Sequence, residues 1–174
     1  RVSPDGPFLE LNDRYCAILR RSREELVGEG WKEITHPDDV AADVALVDKV
    51  FRGELENFTL EKRYLAPDGS SIWVNLTVSA ERNSDSSVRY FIAIAEDISE
   101  RKAAEEALRR SEERYRALFE SMEQGFCTIQ VTFDRDQPVD YRFTELNPAF
   151  SEHTGLDQDV LGRSVREVIP GLEA

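Results

Sequence analysis

The chain has 174 residues, of which 40% are hydrophobic and 9% aromatic, and its formal net charge is −13. This composition is typical of a globular protein, and the acidic excess argues against nucleic acids and anionic membrane surfaces as partners, because both attract basic proteins. No apolar run approaches the roughly eighteen residues of a membrane span, so no membrane contact is expected. Because the chain begins at Arg1 rather than at methionine, we expect it to be a section of a longer protein.

The first predicted elements are a short strand at 8–11 and a short helix after it, which the Asn12 side chain can cap. A second short helix begins at Ser22 with a capping-box pattern. A longer helix opens at Pro37, because proline suits a first helical turn. Its apolar stripe has the spacing of one helix face and consists of Val40, Val44, Val47 and Phe51.

Three strands follow, at 58–64, 72–79 and 90–95. Pro67-Asp68-Gly69 forms a hairpin turn between the first two, and both of these strands alternate between apolar and polar residues. The third strand is apolar on both faces, which favours a central place in a sheet. This order of elements predicts an α+β fold in which an antiparallel sheet carries helices on one face.

A long helix without glycine or proline is predicted at 99–122, and Asp97 and Glu100 are spaced as a capping box at its start. Six of its residues alternate at spacings of four and three, which is the seam of a two-stranded coiled coil. These residues are Ala104, Leu108, Ser111, Tyr115, Leu118 and Met122. The seam predicts a homodimer, while a rigid spacer or a helix packed on its own sheet is the alternative.

One pattern, F-x-E-L-N-x-x-aromatic, occurs twice, at 8–15 and at 143–150. A second match follows in each copy, where Glu25-Leu26-Val27-Gly28 parallels Asp159-Val160-Leu161-Gly162. Repetition at the length of a domain predicts two copies of one domain.

The repeat also predicts the domain boundaries. The first domain occupies 1–98 and lacks its N-terminal strand, and a connector helix occupies 99–122. The second domain occupies 123–174, with an apparent strand at 126–133, and lacks its C-terminal half.

Residues that could carry chemistry are few. Cys16 and Cys127 lie far apart without a C-x-x-C pair, so neither a zinc site nor a disulfide framework is expected. We expect both to be small buried residues of a reducing compartment, consistent with a cytoplasmic location. His36 and His153 are interpreted as structural residues rather than ligands or phospho-acceptors. No glycine-rich phosphate loop, serine triad or carboxylate pair predicts an enzyme.

Several short motifs follow one another in a fixed order. They are Ser3-Pro4-Asp5-Gly6, Glu24-Glu25-Leu26-Val27-Gly28, Thr35-His36-Pro37-Asp38-Asp39, Asp68-Gly69-Ser70, Trp73-Val74 and Glu96-Asp97-Ile98-Ser99-Glu100-Arg101-Lys102. Asn147-Pro148-Ala149-Phe150 and Gly162-Arg163-Ser164 continue the likeness in the second copy. Together these motifs resemble the PAS/PAC sensory family, and the string at 96–102 looks like the D-I-T-E-R-K signature that closes such domains.

The resemblance implies a five-stranded antiparallel sheet that cups a small pocket against the helices. It further implies an output domain downstream, such as a histidine kinase or a diguanylate cyclase, and a signal relay through Asp97, Ile98 and Ser99. The residues that we expect near the pocket are Tyr15, Trp31, Val44, Val47, Tyr64, Leu76 and Phe91. A fully packed core without a ligand cavity is the alternative.

The identity of any cofactor is unknown from the sequence, and none is predicted. Haem-binding members of the family place their histidine in the long helix, and residues 40–51 contain no histidine; flavin-adduct members carry an N-C-R-F-L-Q box, which is absent. The leading hypothesis is a non-enzymatic sensory and relay module of a sensor histidine kinase, which binds a small ligand or a partner. A cofactor-bearing redox or light sensor and a ligand-free dimerisation module are the alternatives.

Overall fold

A computed structural model describes residues 1–169 of the chain. The chain divides into two compact units, Arg1–Glu105 and Glu106–Ala174, and each has an apolar core of its own. The end of the predicted second domain, residues 170–174, lies outside the described residues.

Three helices lie near the start of the first unit: α1 (Asp13–Leu19), α2 (Arg23–Leu26) and α3 (Pro37–Phe51). Their starts follow the predicted capping residues. The Asn12 side chain accepts a hydrogen bond from the Tyr15 N–H at 2.8 Å, and Ser22 and Glu25 form a reciprocal capping box. Such caps satisfy N–H groups of the first turn that have no partner within the helix.

The buried face of α3 differs from the stripe that the sequence predicts. Phe51 is 49% exposed and Val44 is only half-buried, whereas Asp43 and Val50 are buried. Hydrophobic periodicity counts an aspartate as a solvent position. The predicted buried face is therefore wrong: the observed one is rotated about the helix axis, and the acidic side chain of Asp43 lies at its centre.

Three strands form an antiparallel sheet in the order β1 (Asn57–Leu65), β2 (Ser71–Arg82) and β3 (Val88–Asp97). In the register of the sheet, Lys62 lies opposite Val74, and Leu76 lies opposite Ala95. Alternate residues of β1 and β2 are buried, and α3 packs on these two strands. The predicted α+β fold with an antiparallel sheet is confirmed.

Beyond β3 the sheet continues as isolated bridges. Val2 exchanges backbone hydrogen bonds with Phe91 at 2.9 and 2.8 Å and also pairs with Phe8. The predicted strand at 8–11 is wrong in this respect, because Phe8 forms single bridges and no continuous ladder. Burial of β3 on both faces is also wrong: Ile94 is 65% exposed.

Helix α4 (Ser99–Ser121) follows β3 almost directly. The Ile98 carbonyl accepts a hydrogen bond from the Lys102 N–H at 3.0 Å, which begins the helical pattern. The Asp97 side chain accepts from the Ser99 N–H at 2.9 Å, two residues along the chain. The predicted capping box between Asp97 and Glu100 is therefore wrong, and an aspartate turn starts the helix instead.

The second unit contains a β-hairpin of β4 (Cys127–Asp134) and β5 (Gln137–Leu146). Helix α5 (Pro148–Thr154), a 3-10 turn (Gln158–Val160) and helix α6 (Val165–Val168) follow. The predicted strand at 126–133 is confirmed with a shift of one residue. The buried apolar core of the second unit consists of Phe143, Leu146, Val160 and Val165.

Candidate functional site

A cavity of about 30 Å³ lies between the helices of the first unit and the inner face of its sheet. Most of the predicted pocket residues line it, namely Tyr15, Trp31, Val47, Tyr64, Leu76 and Phe91. The exception is Val44, which lines a separate surface depression with Pro4 and Phe51. Val44 was misplaced because Asp43, rather than Val44, lies on the buried face of α3. The sequence prediction also omits two charged residues in the cavity wall, Asp43 and Lys62.

Lys62 on β1 and Asp43 on α3 form a buried ion pair at the cavity. Each residue is 1% exposed. The Lys62 Nζ donates to Asp43 Oδ2 and, at 2.9 Å, to Thr35 Oγ1. A charge buried without a partner is strongly destabilising, so these two bonds are what allow Lys62 to lie in the core. Among residues 1–169, Asp43 Oδ1 has no hydrogen-bond partner.

Aromatic side chains surround the buried ammonium group. Lys62 Nζ lies 4.4 Å from the centroid of the Tyr64 ring and 5.2 Å from that of Trp31, within the range of cation–π attraction. The Tyr64 hydroxyl oxygen lies 2.8 Å from that of Tyr15. The wall of the cavity therefore combines an ion pair with two hydroxyl groups.

Burial shifts the ionisation of these groups. It lowers the pKa of Lys62, and the neighbouring Asp43 carboxylate opposes that shift. Burial raises the pKa of Tyr15 to about 12 and raises the pKa of Tyr64 well above its ordinary value. Both tyrosines are therefore neutral near pH 7, and each hydroxyl keeps its proton.

The segment before α3 fixes the helix against β1. Thr35 and Tyr64 form an isolated antiparallel bridge, and the His36 N–H donates to the Arg63 carbonyl at 2.9 Å. Because the start of α3 is held in this way, Asp43 in its second turn reaches the inner face of the sheet.

Arg63 on β1 connects α3 with β2. Its Nε and Nη2 donate to the Asp39 carboxylate at 2.9 and 2.7 Å, and these hydrogen bonds lower the pKa of Asp39. The guanidinium carbon lies 5.4 Å from the centroid of the Trp73 ring. The Lys102 ammonium on α4 lies 5.2 Å from the same ring.

Glu61, the other neighbour of Lys62 along β1, contacts the start of α4. Its carboxylate forms ion pairs with Lys102 and Arg101, each at 2.7 Å, and both cations lower the pKa of Glu61. Successive residues of a strand point to opposite faces. Lys62 therefore faces Asp43, while its two neighbours on β1 contact the starts of the flanking helices, Arg63 that of α3 and Glu61 that of α4.

The predicted relay residues Asp97, Ile98 and Ser99 lie at the junction of β3 and α4. The Ile98 N–H donates to the Trp73 carbonyl at 3.0 Å, and the Trp73 N–H donates to Ser99 Oγ at 3.1 Å. Ile98 is also buried. The first turn of α4 is thus hydrogen-bonded to the backbone of β2.

No residue of α4 is buried. All six predicted seam residues are exposed: Ala104, Leu108, Ser111, Tyr115, Leu118 and Met122. Tyr115 has further contacts within the second unit, because its hydroxyl donates to Glu145 Oε2 at 2.9 Å and its ring stacks on Phe119.

The other candidate residues have structural surroundings. His36 is the N-cap of α3, and its Nδ1 accepts from the Asp38 N–H at 3.3 Å. Cys16 and Cys127 are half-buried rather than buried, and both are free thiols. Within residues 1–169, no group of three or more His, Cys, Asp or Glu side chains could hold a metal ion. None of the helices described is both long and apolar enough to cross a membrane.

Comparison with protein families gives two matches, both to models described as PAS domain, at residues 2–100 and 113–174. Over 113 residues the chain is 37% identical to the probable diguanylate cyclase DgcE of Escherichia coli K12, which covers 65% of the chain and 10% of that protein. It is 22% identical over 143 residues to the sensor histidine kinase TmoS of Ectopseudomonas mendocina, covering 82% of the chain and 15% of that protein. The chain therefore spans only a small part of these relatives.

Solved structures agree with the fold. A sensory box histidine kinase/response regulator from Burkholderia thailandensis matches with a TM-score of 0.51 and 28% identity, covering 62% of the chain and 81% of that structure. The PAS-B domain of Drosophila melanogaster Cycle matches with a TM-score of 0.51 and 24% identity, covering 55% of the chain and 94% of that domain.

Proposed function

The chain belongs to the PAS domain family, and from this premise we propose that it is the sensory and relay part of a sensor histidine kinase input region. It acts in the cytoplasm without catalysing a reaction itself, and the output domain lies elsewhere in the parent protein. The kinase and diguanylate cyclase relatives support an enzymatic output of one of these two kinds.

The observation that carries the proposal is the position of β1 between the cavity and α4. Lys62 faces the buried Asp43, while the adjacent Glu61 holds Arg101 and Lys102 of α4. A change in the cavity that moves Lys62 also moves its neighbours along the strand. The signal then reaches α4 through Glu61 and through the Asp97-Ile98-Ser99 junction.

A ligand or partner shifts such a device only by its difference in affinity for two states of the domain. In the proposed mechanism, the two states differ in the contacts that the first turn of α4 makes with the sheet. The ion pairs of Glu61 are exposed and individually weak, so a small change in the cavity is sufficient to favour one arrangement.

The proposed domain division is 1–98, a connector helix at 99–122 and a partial second domain at 123–174. Exposed apolar side chains in the second unit support it, since Ile129, Val131 and Phe133 of β4 are 47%, 38% and 62% exposed. Their exposure is what a domain without its C-terminal half would have.

We further propose a homodimer through the seam of α4. Leu108 and Leu118 support it, being 62% and 61% exposed on a helix with no buried residue. Sedimentation of the chain measures the association directly. Leu118→Glu is expected to weaken the dimer at least tenfold, whereas the control Ala117→Glu, at an exposed position beside the seam, leaves it unchanged. A monomer at high concentration would contradict the seam and favour the spacer.

A second candidate, a ligand-free dimerisation module, is favoured by the size of the cavity. Its volume is about 30 Å³, against roughly 300–1,000 Å³ for typical small-molecule sites. The same comparison disfavours a haem or flavin sensor, because the cavity wall described above leaves no room for a macrocycle or a three-ring system.

Amide hydrogen exchange tests the relay. Replacing the ion pair by apolar residues, as Asp43→Leu with Lys62→Met, is expected to change exchange at residues 102–105 by about threefold or more. Leu26→Ala is the control, because Leu26 is buried but does not line the cavity. The two variants are compared under conditions in which their free energies of unfolding are equal. If both then change exchange at residues 102–105 equally, the relay is contradicted and the ligand-free dimerisation module is favoured.

A further inference from the structure

We propose that the cavity of the first unit binds a single hydroxyl group, that of a water molecule or of a one- or two-carbon alcohol, between Asp43 and the Tyr15–Tyr64 pair. This inference rests on the proposed sensory function and names the chemical class that its site accepts.

The tyrosine pair supplies a hydrogen-bond donor. Two hydroxyl groups carry two protons, and the contact at 2.8 Å between Tyr15 and Tyr64 uses one of them. Among the described residues, the bond between the two hydroxyls is the only hydrogen bond that either of them makes. One buried O–H donor therefore points to a ligand that can accept a hydrogen bond.

Asp43 supplies an acceptor. Its Oδ2 binds Lys62, while its Oδ1 is buried without a partner in the described part of the chain. A buried carboxylate oxygen without a donor is strongly unfavourable. Asp43 is therefore a fixed acceptor that points to a ligand able to donate a hydrogen bond.

Both groups line the same cavity, and the proposed ligand lies between them. A hydroxyl group accepts and donates at once, whereas an ammonium group cannot accept and a carbonyl oxygen cannot donate. The ion pair of Lys62 and Asp43 is neutral as a whole, which favours a neutral ligand in this buried place.

The volume limits the size of the ligand. About 30 Å³ accommodates roughly two to three water-sized groups, since one water needs about 10–15 Å³ measured in this way. Apolar side chains, including Val47, Leu76 and Phe91, complete the wall. A hydroxyl group with one or two carbon atoms matches this combination of polar and apolar surface.

Methanol is the probe for the test, with xenon as an apolar probe of similar size. In amide NMR spectra of the full chain, methanol is expected to give saturable shifts that cluster at the cavity. The double variant Tyr15→Phe/Tyr64→Phe removes both donors and is expected to weaken this binding about tenfold. The control Tyr90→Phe, outside the cavity, leaves it unchanged, and tryptophan fluorescence reports whether each variant is folded.

A crystal structure of the chain grown without and with methanol separates the two sources of the hydroxyl. Methanol in place of an ordered water between Asp43 and the tyrosines supports a short alcohol as ligand. A water that persists in methanol supports the hydroxyl site with water as its occupant. Xenon binding with neither water nor methanol at this position would overturn the proposal. Because binding is observed at the cavity and the relay at residues 102–105, either can fail without the other.

Discussion

The repeated sequence pattern places an asparagine at the same position in both units, with different surroundings. Asn12 is exposed, and its side chain accepts one hydrogen bond, from the Tyr15 N–H. Asn147 is fully buried. Its Oδ1 accepts from the Phe126 and Phe150 N–H groups at 2.7 and 2.9 Å, and its Nδ2 donates to the Gln124 carbonyl at 2.8 Å.

The difference shows that the preceding segment decides what the repeated residue does. Both asparagines cap a helix, and both units keep the same aromatic contact, with ring centroids 5.9 Å apart for Phe8–Tyr15 and Phe143–Phe150. In the second unit, residues 124–126 add two hydrogen-bond partners to the cap, the Phe126 N–H and the Gln124 carbonyl. The repeated motif thus determines the local turn, while the contribution of its asparagine to the free energy of unfolding depends on the residues that pack over it.

The core of the first unit contains an ion pair, whereas no charged side chain is buried in the described part of the second unit. Removing one member of this pair should have the largest effect on stability. Lys62→Met leaves the Asp43 carboxylate buried without its cation, so it is expected to lower the free energy of unfolding by about 3–5 kcal/mol. Combining it with Asp43→Leu should recover most of this loss. Fluorescence-detected urea unfolding measures both, because Trp31 and Trp73 lie in the first unit. Equal loss in the single and double variants would contradict the account.

The two asparagines give the next largest effect. Asn147→Ala removes the side-chain partners of the Phe126 N–H and the Gln124 carbonyl and leaves the Phe150 N–H only its backbone bond to residue 147, so about 2–3 kcal/mol of destabilisation is expected. Asn12→Ala removes an exposed cap and should cost about 1 kcal/mol. Hydrogen exchange, measured separately in each unit, gives the destabilisation caused by each substitution. Similar losses of stability at both positions would contradict the difference between the buried and the exposed asparagine.

Acid should weaken the first unit through Asp39. Arg63 lowers the pKa of this carboxylate in the folded state, so its contribution is present above about pH 4 and is lost as the pH falls through the lowered value. Asp39→Asn is expected to cost about 1 kcal/mol near neutral pH, after allowance for solvent screening. The wild-type and variant stabilities should converge as the pH falls below the lowered pKa of Asp39, and a pH-independent difference would exclude this origin.

The smallest effect concerns the ends of the equivalent helices α1 and α5. Both have a left-handed C-cap, Arg20 with φ 55° and Gly155 with φ 74°. Because only glycine adopts this conformation without strain, Arg20→Gly should stabilise the first unit by about 0.5–1 kcal/mol and Gly155→Ala should destabilise the second by about 1 kcal/mol. Thermal unfolding followed by amide NMR resolves the two changes, and effects of the same sign would contradict this reasoning.

Sequence reasoning was accurate where structure is determined locally. The caps at Asn12 and Ser22 and the start of α3 at Pro37 depend on a few adjacent residues, and all three are present. Predicted pocket residues such as Tyr15 and Tyr64 also line the cavity, because period-two and helical patterns identify inward positions.

The buried ion pair was missed for a physical reason. Strand alternation places Lys62 on the same face as Phe58 and Tyr64, but a lysine is normally assigned to solvent. Asp43 is hidden in the same way on α3. The signal that could have found the pair is the coincidence of one acid and one base on two inward faces. The start of α4 at Ser99 was predicted, but not its hydrogen bonds to β2, because their partner Trp73 lies far away in sequence.

The central claim is that β1 couples the buried ion pair to the start of α4. The most direct test combines the interior change Asp43→Leu/Lys62→Met with Glu61→Gln and follows amide exchange at residues 102–105. If Glu61 transmits the change, its replacement should abolish most of the effect of the interior variant on α4. An interior effect that persists at full size in the Glu61→Gln background would contradict coupling through this strand.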